Sequence, residues 1–142
     1  MTVYVDTSVL VAYYCPEPLS RKADAILSGQ LRPAVSALTE VEFYSAVSRK
    51  IREKALARKD AARITSKFMG HLDGGYYSVL SVGIDHYRLA RDWIGMFRFP
   101  LRTLDVLHLA IASSEGLEIV TSDPGLYKSA KALSLKPIFL AP

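Results

Sequence analysis

Four acidic residues stand at points where the chain changes from apolar to polar. Asp6 directly follows Val3-Tyr4-Val5, and Asp123 follows Glu118-Ile119-Val120-Thr121. Glu42 lies early in the segment after Pro33-Ala34-Val35-Ser36, and Asp105 opens the apolar run Thr103 to Ala112. Each acid has an ordinary local explanation. Asp6 suits an N-cap, and Asp123-Pro124 suits a cap followed by proline at the first helical position. Thr39-x-x-Glu42 matches a capping box, and Asp105 sits in a first turn, where the helix dipole favours negative charge. Asp105, however, is flanked by Leu104, Val106, Leu107, Leu109 and Ile111, where an unpaired carboxylate is costly to bury. Carboxylates brought to about 4 Å repel by about 4 kcal/mol per pair at an effective dielectric near 20. A cap contributes only about 1 kcal/mol. Four acids meeting at one place therefore call for protons or divalent cations. With no Cys or His expected beside them, oxygen-only ligands point to Mg²⁺ or Mn²⁺. The chemistry that uses such a cluster is phosphodiester hydrolysis, in which one cation activates water and a second can stabilise the leaving oxygen.

The surrounding pattern would bring these acids together. Val3 to Val5, Pro33 to Ser36, Ser78 to Val82, Glu118 to Thr121 and Pro137 to Leu140 read as five short strands. Between them, helices are expected from Thr7 to before Pro16, Leu19 to Leu31, Leu38 to Lys54, Arg58 to Leu72, Asp85 to Phe97, Thr103 to Ala112, and Pro124 to Leu133. The Thr103–Ala112 helix is apolar on almost every side and so is expected to be buried. Short apolar strands alternating with helices imply a parallel sheet covered on both faces, a three-layer α/β/α domain with right-handed crossovers. Ligands of such sheets bind beyond the carboxyl ends of the strands, where all four acids are expected.

The length of 142 residues, 50% of them hydrophobic and 23% charged, suits a single domain over residues 1–142 with enough core to fold unaided. A single cysteine, Cys15, excludes an internal disulfide and any multi-cysteine zinc site. His71, His86 and His108 lack metal-ligand spacing. No apolar run is long enough to span a membrane, and no basic region precedes an apolar stretch at the N-terminus, so a soluble, cytoplasmic protein is expected.

Four segments carry a family resemblance: Val5-Asp6-Thr7-Ser8-Val9-Leu10; Ser36-Ala37-Leu38-Thr39-Glu40-Val41-Glu42; Leu101-Arg102-Thr103-Leu104-Asp105-Val106-Leu107-His108-Leu109-Ala110; and Val120-Thr121-Ser122-Asp123. In order and spacing the chain resembles PIN-domain ribonucleases, most nearly the VapC-like toxins of type II toxin–antitoxin pairs. The resemblance implies an Mg²⁺- or Mn²⁺-dependent endoribonuclease with Asp6, Glu42, Asp105 and Asp123 as catalytic and metal-holding acids. It makes Ser8 and Thr121 secondary polar contacts, and it prefers Glu42 to Glu40. It further implies an RNA substrate, a cognate antitoxin and a homodimer. The alternatives are a non-catalytic PIN-type RNA-binding or scaffold module, or a PIN nuclease of RNA processing without an antitoxin.

The net charge is +4, from 18 Lys and Arg against 14 Asp and Glu. From Arg49 to Lys67 stand Arg49, Lys50, Arg52, Lys54, Arg58, Lys59, Arg63 and Lys67, against Glu53 and Asp60. The first four, with Arg102, are candidates for RNA phosphate contacts. Solvated helix faces account equally well for the run. Arg102 is placed either to pair with Asp105 or to reach a phosphate. Tyr13, Tyr14, Tyr76 and Tyr77 are expected to pack rather than to stack on bases, and His108 and Cys15 to be buried packing residues.

Overall fold

The computed structural model describes residues 2–30 and 32–142. Among them, five short strands form one parallel sheet: β1 (Val3–Val5), β2 (Ala34–Ser36), β3 (Ser78–Leu80), β4 (Glu118–Thr121) and β5 (Ile138–Phe139). Seven helices flank it: α1 (Thr7–Tyr14), α2 (Ser20–Ser28), α3 (Ala37–Arg52), α4 (Arg58–Asp73), α5 (Ile84–Ile94), α6 (Thr103–Ser114) and α7 (Pro124–Ala132). No helix of the described residues is long and apolar enough to cross a membrane.

Alternation along the strands sorts the side chains into two cores. Val3 and Val5 of β1, Val35 of β2 and Val120 of β4 pack with Leu10, Leu27, Phe43 and Phe68 from α1 to α4. Tyr4, Ala34 and Ile119 point the other way, against Ala90, Leu107, Ile111 and Leu126 of α5 to α7. Each fully buried large apolar side chain contributes about 1.5–3 kcal/mol. The layered α/β/α arrangement expected from the sequence is therefore present, and α6 is buried almost all round, from Val106 to Ala112.

The strand order is β3-β2-β1-β4-β5. Val5 pairs with Val120 and Tyr4 with Ala34, so β1 has β4 on one side and β2 on the other. The chain leaves β1 towards β2 and later returns to its opposite flank. This reversal opens a crevice at the carboxyl ends of β1 and β4, the usual ligand position in such sheets.

Several ends differ from the sequence reading. α3 stops at Arg52 and α5 at Ile94, short of Lys54 and Phe97, because those two residues take positive φ (59° and 54°) and turn the chain out of the helix. β3 ends at Leu80 rather than Val82, and α6 runs on to Ser114. α2 closes at Ser28; the expected end at Leu31 lies outside the described residues.

Candidate metal centre

The four acids reach the crevice from four elements. Asp6 caps α1 directly after β1, and Asp123 caps α7 two residues after the end of β4, accepting from the Gly125 N–H at 2.8 Å with Pro124 in the first helical position. Glu42 lies in the second turn of α3, and Asp105 in the first turn of α6. All four line one cavity of about 370 Å³, together with Thr7, Ser8, Ser45, Arg49 and His108. Glu40 does not line it.

Asp6 is nearly buried, and one of its oxygens is fully engaged. Oδ2 accepts from Ser8 Oγ at 2.7 Å, Thr121 Oγ1 at 2.9 Å and the Ser8 N–H at 3.4 Å. Ser8 Oγ also accepts the Ser122 N–H at 3.0 Å, and Thr121 Oγ1 accepts the Asp123 N–H at 3.0 Å. Ser8 and Thr121 thus lash the end of β1 to the end of β4. The other oxygen, Oδ1, takes part in none of these bonds.

Glu42 follows the same plan. Its Oε1 receives Thr7 Oγ1 at 2.7 Å and His108 Nε2, and neither bond uses Oε2. The carboxylate is not the acid of a capping box, as the Thr39-x-x-Glu42 spacing suggested. The box is closed one turn earlier by Ser36 and Thr39, whose side chains and backbone N–H groups bond reciprocally at 3.1 and 3.4 Å. Glu42 is thereby free to face the cavity. Burial pushes its carboxyl up, but the hydrogen bonds from His108 and Thr7 outweigh this and hold it below the ordinary range.

Asp105 moves the other way. Burial raises its carboxyl, and the charges of Asp123 and Asp6 add to the rise, against the opposing pull of Arg102. Arg102 Nη2 reaches Asp105 Oδ2 at 2.8 Å and Asp123 Oδ2 at 3.4 Å, so the pairing half of its expected role is present. Its side chain is 68% exposed against 15% for Asp105. A pair so open to water is worth little, and Arg102 can leave it readily.

The sequence reading placed no histidine near the acids, and that is corrected here. His108 lies three residues after Asp105, on the same side of α6, and projects into the cavity. Asp6, Glu42 and His108 each bring a ligand-capable atom within 4.8 Å of the others. His108 is also buried and packed, as expected, with its second ring nitrogen 2.7 Å from the Tyr4 hydroxyl. Tyr4 and Thr7, which the sequence offers only as strand and helix-start residues, also support the site, through His108 and Glu42 respectively. The available signal was chemical: a tyrosine in the middle of a buried three-residue strand and a histidine in an apolar helix both need polar partners.

Of the five cations offered for RNA contact, Arg49 lines the cavity and Arg102 bridges two of its acids. Lys50, Arg52 and Lys54 lie beyond, and none of them lines it. Tyr14 and Tyr77 are buried, as their packing role required, and so is Cys15 at the end of α1.

Residues 3–132 match the PIN domain family. The chain belongs to that family. No curated protein matches it in sequence. Solved structures share the PIN fold at low identity. VapC20 of Mycobacterium tuberculosis, described as a sarcin-ricin loop cleaving toxin, superposes with a TM-score of 0.70 at 14% identity, over 89% of this chain and 94% of that one. VapBC2 of Rickettsia felis, solved on a DNA fragment from its promoter, gives 0.68 at 16% identity, over 99% and 98%. A toxin–antitoxin complex of Klebsiella pneumoniae gives 0.62 at 15% identity, over 85% and 86%. The clustered Asp6, Glu42 and His108 of this PIN domain fit a metal site.

Proposed function

We propose that this chain is a metal-dependent endoribonuclease that hydrolyses RNA phosphodiester bonds, and that it is the toxin of a toxin–antitoxin pair. One observation carries the reading. Asp6 and Glu42 each have one oxygen engaged by protein donors and the other without such a donor among the described residues, in a cavity they share with Asp105 and Asp123. Carboxylates serving only as caps or ion-pair partners have no need to converge, and their mutual repulsion opposes it.

Asp6, Glu42, Asp105 and Asp123 would hold Mg²⁺ or Mn²⁺ through oxygen alone. A divalent cation held there would supply positive charge against the phosphodiester oxygens and would acidify an attacking water. Ser8 and Thr121 keep Asp6 in place beside the end of β4. Arg49 sits where it can meet a phosphate, and Arg102 can swing from the acids to do the same. The Rickettsia and Klebsiella neighbours support an antitoxin partner and the cleaving toxin of M. tuberculosis supports an RNA substrate; a homodimer is part of the same reading.

The test is cleavage of a mixed RNA pool by the purified chain and its Asp6→Asn variant, in EDTA, Mg²⁺ or Mn²⁺. Cutting that needs both the metal and Asp6 is the expected result. Absence of cutting by folded, inhibitor-free protein in every condition would assign the chain to a non-catalytic RNA-binding or scaffold role.

A further inference from the structure

The Glu42 carboxylate is gripped from one side. Thr7 and His108 meet the same oxygen, and a carboxylate can only accept, so the hydrogen between His108 and Glu42 belongs to Nε2. In the neutral ring Nδ1 is then an acceptor and takes the Tyr4 hydroxyl hydrogen at 2.7 Å. Tyr4 Oη accepts in turn from Ser36 Oγ at 2.8 Å, with Thr39 Oγ1 at 3.3 Å. These bonds run in one direction, from the start of α3 through the core to a single carboxylate oxygen.

Every group in this line is taken out of water. Tyr4, Ser36 and Thr39 are fully buried and His108 is 2% exposed. Packing alone gives no reason for it, because leucine and phenylalanine fill such a layer with no polar group to satisfy. Ser36 and Thr39 also close the α3 capping box, but Tyr4 and His108 have no such local duty, and their bonds lead to one oxygen of Glu42.

We propose that His108, locked in one tautomer by Tyr4, is a positioning residue that fixes Glu42 through Oε1 so that Oε2 is the atom offered to a divalent cation. This rests on the reading of the acids as metal ligands. The competing possibility is that His108 is itself a ligand, since Nε2 lies within 4.8 Å of the Asp6 and Glu42 oxygens. That role requires a bare Nε2, a reversed Tyr4 bond, and the loss of one of the two donors on Oε1. The two roles give the site different chemistry: oxygen-only for hard cations in the first, and a nitrogen ligand favouring zinc-like metals in the second.

The experiment is Mn²⁺ binding by the full chain, read by titration calorimetry, with Co²⁺ absorption as a report on the ligand type. His108→Gln keeps an N–H donor close to the position of Nε2, whereas His108→Leu removes it. Tyr4→Phe leaves the ring but frees its tautomer. The expected result is Mn²⁺ affinity and a Co²⁺ spectrum retained in His108→Gln, an affinity loss of about 10–100-fold in His108→Leu, and a smaller loss in Tyr4→Phe. In RNA cleavage the same variants lower kcat more than they raise KM. Equal loss in the Gln and Leu variants with an altered Co²⁺ spectrum would make His108 a ligand. Unchanged affinity in folded His108→Leu would reduce it to packing. Should His108→Leu fail to fold, unchanged Mn²⁺ affinity in Tyr4→Phe overturns the proposal by itself. A wild-type chain that binds no Mn²⁺ would instead sink the metal-site reading underneath.

Discussion

Replacing Asp105 by asparagine should make the metal-free protein more stable. The shift at Asp105 is upward, caused first by burial and then by the charges of Asp123 and Asp6, so folding disfavours its ionised form. The sign follows from proton linkage. A carboxyl whose folded pKa is raised supports the fold while protonated, and that support is lost as pH rises through the carboxylate range. At neutral pH wild type therefore carries a penalty that asparagine, of nearly the same shape, lacks. Removing a disfavoured charge of this kind is worth about 0.5–2 kcal/mol, or a few degrees in Tm for a chain of this length. In acid the difference should vanish, because Asp105 is then protonated in both states. With a divalent cation at a hundred times its Kd the order should reverse, since wild type gains about 2.7 kcal/mol from binding and the variant gains less. Urea unfolding at neutral and acid pH, in EDTA and in Mn²⁺, measures all of these quantities. A variant less stable than wild type by 1 kcal/mol or so in EDTA at neutral pH would refute the reasoning, by showing that Asp105 is held for the fold through Arg102.

Three further outcomes follow from the same contacts. Thr7→Val removes one donor from Glu42 Oε1 and should cost about 1.5 kcal/mol at neutral pH; because the Glu42 carboxyl is held low in the fold, its stabilisation is lost as pH falls through the folded pKa, and urea unfolding should show the cost shrinking there. Arg49→Ala should weaken RNA binding and reduce the log–log salt slope by about 1, whereas Arg58→Ala, at the start of α4 and away from the cavity, should leave the slope at its wild-type value in the same anisotropy titration. Phe43→Ala, next to Glu42 but facing the core with no exposure, should cost about 3–5 kcal/mol in chemical unfolding.

Much of this arrangement was legible in the sequence, because the signals were strong and local. Val3-Tyr4-Val5 before Asp6 and Glu118 to Thr121 before Asp123 announce strand, cap and helix in four or five residues, and parallel-sheet rules then carry both acids to one end. The Thr103–Ala112 segment announced its burial through its composition. What the sequence hid depends on which side chains meet across layers. Tyr4 and Ser36 come from adjoining strands and their hydroxyls meet, yet that of Tyr4 also meets His108, from a helix about a hundred residues later in the chain. Thr39 and Glu42 had the spacing of a capping box, but Ser36 stood one turn earlier and closed the box first, leaving Glu42 to a cross-layer partner. Helix ends were missed where a single positive-φ residue, Lys54 or Phe97, turned the chain, a conformation for which neither residue type gives warning.

The strand order has a consequence for how the protein comes into being. Asp6 and Asp123 are brought together by the pairing of β1 with β4, strands separated by more than a hundred residues of intervening chain. Such distant parallel pairing is among the last and slowest events of folding. While a ribosome is still making residues 6 to 120, Asp6 has no Thr121 to hold it and the cavity has no fourth wall. Until β4 has emerged and docked, the chain therefore lacks the cavity in which the four acids meet.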